Sequence, residues 1–174
     1  SIEPNIGIIT PGYSISAMCL QGRYVWVATR PSGYPRADPT GFQKTVDIGS
    51  TYTDYTSEVK DNENETTAIL SNLDTAANGD WVIVGYSAAF YGVLWEVVSP
   101  NTTASIVTAE YWNGSAWTGI GVTGIFKDYT SVGGVSLNRS EMMIWQSAGI
   151  TNWAASTLNS INAYWMRFKF SVAL

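Results

Sequence analysis

Short runs of Val, Ile, Thr, Tyr and Trp, broken by clusters of Gly, Asn, Ser and Pro, recur along most of the chain. β-branched and aromatic side chains suit a pleated, half-buried surface, and the breakers supply the turns between such runs. The pattern predicts strands at Tyr24–Thr29, Gln43–Ile48, Thr66–Leu70, Trp81–Tyr86, Tyr91–Val98, Ser105–Trp112, Trp117–Val122, Val135–Leu137, Met142–Gln146 and Tyr164–Val172. Strand units at intervals of roughly 8–12 residues fit an all-β sandwich or barrel. Hairpin turns are expected at Ser99-Pro100-Asn101-Thr102 and at Asn113-Gly114, the latter between Trp112 and Trp117. One short helix is expected within Thr151–Ser160, capped by Thr151 or Asn152. In the last run Tyr164, Met166, Phe168 and Phe170 alternate with Trp165, Arg167, Lys169 and Ser171. Such a strand has one apolar and one mixed face.

A chain of 174 residues is long enough for one domain with its own core. Residues 1–22 carry a single charge, Glu3, among several Ile, Gly and Pro. They are expected to form an extended N-terminal arm that lies against something else. Residues 23–174 are expected to form one sandwich domain, densest over about 66–174. Between these, 30–41 reads as a stiff Pro- and Gly-rich loop and 50–65 as a polar, acidic one.

Composition narrows the chemistry. Charged residues make up 13% of the chain, about half the usual share. With a net charge of −5, nine Lys and Arg and no basic block, nucleic-acid binding is not expected. Histidine is absent, which removes Ser-His-Asp and Cys-His catalysis and imidazole metal sites. Cys19 is the single cysteine, so neither an intrachain disulfide nor a cysteine-rich zinc site is expected. No cofactor is expected either. The first 22 residues lack the basic start of a secretory leader. The apolar run from Trp81 to Trp95 is too short to span a bilayer and is interrupted by Gly85, Ser87 and Gly92.

The remaining motifs have ordinary readings. Asp61-Asn62-Glu63-Asn64-Glu65 alternates oxygen ligands, but Thr66 stands where a calcium loop needs glycine. A solvated acidic loop is expected. Glu96 and Glu110 are the best carboxylate pair for glycoside hydrolysis. On neighbouring strands of the Ser99–Thr102 hairpin they would lie ~17 Å apart, beyond the ~5 to ~9.5 Å that glycosidases use. Asn64, Asn101, Asn113 and Asn138 each open an N-glycosylation pattern, which a chain rich in Asn, Ser and Thr produces by chance. Trp95 and Trp165 are expected in the core. Trp112, Trp117 and Trp153 flank turns and are the candidates for stacking on a sugar ring.

One stretch is more specific. Glu110-Tyr111-Trp112-Asn113-Gly114-Ser115-Ala116-Trp117, followed by Trp145, Trp153 and Tyr164-Trp165-Met166-Arg167-Phe168, resembles the C-terminal half of jelly-roll-like sandwich domains in tailed-bacteriophage virion proteins. The resemblance covers roughly residues 80–174. Val122-Thr123-Gly124-Ile125 stands where members of that group often carry an Asp-Gly-Thr turn. The resemblance implies an antiparallel jelly-roll-like β-sandwich in a non-enzymatic structural protein of a phage head. A homotrimeric decoration or cement protein bound to the major capsid protein is expected. The arm, through Ile2, Ile6, Ile8, Ile9, Tyr13 and Ile15, would make the capsid and subunit contacts. The alternative is a tail-fibre or baseplate component that binds host glycans through Trp112, Trp117 or Trp153.

Overall fold

The computed structural model describes residues 13–21, 24–31, 38–46, 50–60, 67–70, 73, 79–120 and 125–174. The chain divides into two compact units, Ser1–Ala37 and Asp38–Leu174. In the first, β1 (Tyr13–Gln21) and β2 (Tyr24–Pro31) form an antiparallel hairpin, with a register shift between Ile15 and Ala17. The segment expected as an arm therefore includes a paired strand. Ile2, Ile6, Ile8 and Ile9 lie outside the described residues, whereas Tyr13 and Ile15 sit opposite Pro31 and Thr29.

The second unit is an all-β sandwich of antiparallel sheets. Its larger sheet runs in the order β4 (Thr51–Asp54), β3 (Gly41–Val46), β5 (Trp81–Tyr86), β12 (Ile161–Phe170), β7 (Val107–Trp112), β8 (Trp117–Gly119). The β11 strand (Ala155–Leu158) also pairs with β12. The smaller sheet is β6 (Gly92–Trp95), β10 (Glu141–Ile144) and β9 (Lys127–Asp128), with β10 in the middle.

The central strands are the most apolar ones. Val82-Ile83-Val84 of β5 is almost wholly buried, as expected of a strand covered on both faces. The alternation in β12 holds: Met166, Phe168 and Phe170 join the main core, and Trp165 belongs to a second cluster on the opposite face. The main core fills the space between the sheets. Phe42, Val82, Val84, Val107, Ala109 and Tyr111 of the larger sheet meet Val93, Trp95 and Met143 of the smaller. Trp95 packs edge-on against Phe168 at 5.3 Å and against Phe42 at 5.9 Å.

The second cluster lies on the outer face of the larger sheet. Trp165 sits opposite Gly85, which itself sits opposite Gly41. The indole lies across both glycines. A Cβ at Gly85 would fall 2.4 Å from the Trp165 ring, and one at Gly41 would fall 2.6 Å from it. Gly85→Ala is therefore expected to cost about 1–3 kcal/mol by overpacking. Equilibrium denaturation checks this, and an unchanged midpoint would mean that Trp165 can move aside freely.

Several expected elements differ. No helix forms over Thr151–Ser160: Asn152 has a φ of 58°, and β11 occupies Ala155–Leu158. Exposed and half-buried residues alternate there, Ser156 and Leu158 being the covered ones. Asn159 and Ser160 then turn with φ of 45° and 68°, the two-residue geometry that matches strand twist. Among the described residues the one helical turn is the 3-10 segment Ser147–Gly149. Residues 67–70 form no strand. Ala68 and Leu70 pack against the main core, and Lys44 Nζ donates to the Ile69 carbonyl at 2.9 Å. At Val135–Leu137 only isolated bridges form, because the left-handed backbone of Gly133, Gly134 and Leu137 breaks the run.

Ser99–Thr102 is not a hairpin turn. It crosses between sheets, since β6 pairs with β10 whereas β7 pairs with β12 and β8. Asn101 pins the crossover. Its Nδ2 donates to the Ser136 and Thr103 carbonyls and to Ser105 Oγ, and its N–H donates to the Leu137 carbonyl. Interior apolar contacts thus overrode a local turn signal.

Candidate interaction surface

The outer face of the larger sheet carries a charged centre in an aromatic frame. Pairing places Glu110 of β7 opposite Arg167 of β12, so their side chains share a face. Arg167 Nε donates to Glu110 Oε2 at 2.6 Å, and Nη2 contacts the same oxygen. Lys169 Nζ donates to Glu110 Oε1 at 2.5 Å. The guanidinium carbon lies 4.0 Å from the ring centroid of Trp81 and 4.8 Å from that of Trp117. Such contacts are worth about 0.5–2 kcal/mol, more as water is excluded. Trp117 also meets Trp112 edge-on at 5.6 Å.

Electrostatics follow from this geometry. Burial alone would raise the Glu110 carboxyl. Hydrogen bonds from Lys169 and Arg167, together with their charges, outweigh it and hold Glu110 below the usual carboxylate range. Burial draws the Arg167 guanidinium down, against the opposing pull of Glu110; it stays cationic. Both oxygens of Glu110 are occupied by cations, so the carboxylate ties β7 to β12 and offers no proton or nucleophile.

The sequence candidates fall in separate places. Trp112 and Trp117 belong to the outer-face cluster. Trp153 packs against the main core, touching Phe90, Tyr111 and Tyr164, and its Nε1 donates to the Trp165 carbonyl. All three are half-buried. Glu96 and Glu110 are not hairpin neighbours: Glu96 follows β6 of the smaller sheet and Glu110 lies in β7 of the larger. Asp61 to Glu65, with Asn64, lie outside the described residues. The side-chain amides of Asn101, Asn113 and Asn138 all donate internal hydrogen bonds. Among the described residues, no group of three or more His, Cys, Asp or Glu could hold a metal ion. No helix among them is long and apolar enough to cross a membrane.

Sequence reasoning passed over the outer face of the smaller sheet. Leu94 and Met142 are register partners with 46% and 39% exposure, and Gly92 and Ile144 pair beside them. Lys127 sits opposite Ile144. This gives a short apolar row open to solvent with a cation at one corner. Its only sequence signal is the alternation Val93, Leu94, Trp95; the partner Met142 lies nearly fifty residues away. A second exposed apolar group sits near the end of β7 and β12. There Ser171 N–H donates to the Ile106 carbonyl and Ser171 Oγ accepts from the Ile106 N–H. Ile106 is 64% and Val172 40% exposed.

Compared with known proteins, the chain matches no family model, no curated protein and no solved structure.

Proposed function

We propose that this chain is a non-enzymatic structural protein of a tailed-phage particle, a head decoration or cement protein that binds and stabilises the assembled shell. The observation that carries the reading is the contiguous apolar row Leu94, Met142 and Ile144 on a sandwich poor in charge. Paired exposed apolar side chains favour an interface over bare solvent. The resemblance of residues 80–174 to phage sandwich domains supports the same reading. Binding only to the finished shell would stabilise it by mass action. The N-terminal segment, with Ile2, Ile6, Ile8 and Ile9, would extend onto a neighbouring capsid subunit or a second copy in a homotrimer.

The test is co-sedimentation of the purified chain with shells assembled from the particle's own major capsid protein. Stoichiometric binding and a higher shell melting temperature are expected. A chain lacking residues 1–12, cut just before β1, is expected to stay folded and lose attachment. Full attachment by the truncated chain would remove the arm from the mechanism, and no shell binding by the intact chain would overturn the reading. The half-exposed Trp112–Trp117 pair favours the second reading, a tail component that binds host glycans. Retention on host envelopes, lost in Trp117→Ala, would select it.

A further inference from the structure

We propose that Asn113 is a latent deamidation site, held shut by the folded β7–β8 hairpin and unlocked when that hairpin opens. Glycine follows Asn113, so no side chain obstructs attack by the Gly114 backbone nitrogen on Asn113 Cγ. In that step a C–N bond forms to Cγ, the Gly114 N–H proton goes to solvent base, and the Cγ–Nδ2 bond breaks with loss of ammonia. Water then opens the cyclic imide at either carbonyl. The product is aspartate or isoaspartate, with one water consumed and one ammonia released.

The fold opposes the first step. Asn113 Nδ2 donates to Thr118 Oγ1 at 2.9 Å. Its Oδ1 accepts from the Ser115 and Ala116 N–H groups at 2.9 Å each and from Ser115 Oγ at 3.0 Å. The Asn113 N–H donates to the Ala116 carbonyl at 3.0 Å. Ring closure requires the amide to leave these partners and swing onto Gly114 N. Gly114 and Ser115 are exposed at the tip, so water and hydroxide reach the site once the amide is released. The reaction is then gated by local opening.

The isoaspartate product cannot restore the loop, because it lengthens the main chain where the loop sets Trp112 opposite Trp117; an aspartate keeps the acceptor oxygen and loses only the Nδ2 donor to Thr118. Trp117 is one of the two rings over Arg167, so the change reaches the outer-face cluster.

The test holds the full chain at mildly alkaline pH, in buffer and in unfolding guanidinium chloride. Conversion is followed by peptide mapping and by the mass gain of amide-to-acid conversion. Asn78-Gly79 is read separately in the same digest. Asn113 is expected to convert at least about tenfold more slowly in the folded chain. Thr118→Val removes the Nδ2 acceptor and is expected to speed conversion several-fold in the folded state. Ser115→Ala, which removes one bond to Oδ1, gives a smaller gain in the same direction should Thr118→Val fail to fold. Equal rates in folded and unfolded chains would overturn the proposal. So would a folded-state rate that neither substitution changes.

Discussion

Trp165→Ala is expected to lower stability by about 3–5 kcal/mol, the range for removing a large aromatic from a packed site. The indole is 1% exposed, although it points away from the space between the two sheets. It fills the slot above Gly41 and Gly85, within the second cluster against which Ile161 and Leu158 pack. Its Nε1 donates to the Ser156 carbonyl at 2.7 Å, which ties β11 to β12 beyond their shared ladder. Alanine would leave a cavity that the two glycines cannot fill and an acceptor without its donor. Denaturant titration at constant slope measures the loss. A loss below about 1 kcal/mol would show that this face behaves as ordinary surface.

Glu110→Ala is expected to cost about 1–3 kcal/mol. Breaking a fully buried pair costs about 3–5 kcal/mol. The lower range applies because the side chains of Glu110 and Lys169 keep 18% and 24% exposure and solvent screens them. The variant leaves Arg167 and Lys169 facing one another without their shared anion. The same carboxylate gives stability a pH dependence. Its folded-state value lies below the ordinary 4.5, so its contribution is fully present above that value and is lost as pH falls through the folded one. Asp54 acts in the same direction. Burial would raise it, but hydrogen bonds from the Thr56 hydroxyl and N–H, with the charge of Lys60, lower it. Stability is therefore expected to be flat from neutral pH to the ordinary carboxylate range and to fall on the acid side. In Glu110→Gln the acid-side fall should be shallower than in the parent. Identical slopes would mean that Glu110 does not carry the effect.

The charged centre also explains why Trp112 and Trp117 stay half-covered. Trp117 already gives its ring to the Arg167 guanidinium, so a sugar would have to share the indole with a cation. Trp153 is engaged by three aromatic rings and by a hydrogen bond to the Trp165 carbonyl. Its place beside a turn in the sequence carried no information about exposure.

By itself the sequence determined the class of fold. Period-two alternation in β12, the apolar run in β5 and the Asn113-Gly114 turn are local signals, because the strand pleat and the hairpin loop are set by residues close in sequence. Trp95 and Trp165 could be assigned to the core for the same reason: they stand within strong strands and are buried at 7% and 1% exposure. The tertiary structure decided which strands meet. β6 passes its sequence neighbour β7 to pair with β10, because burying Val93 and Trp95 against Phe168 and Met143 outweighs a nearby turn. The apparent helix at Thr151–Ser160 became β11 because β12 offered an open edge to pair with. The union of Glu110, Arg167, Lys169, Trp81 and Trp117, and the exposed pair Leu94 and Met142, depend on registers between strands far apart in the chain. No local periodicity encodes those registers; they follow from how the two sheets share one interior.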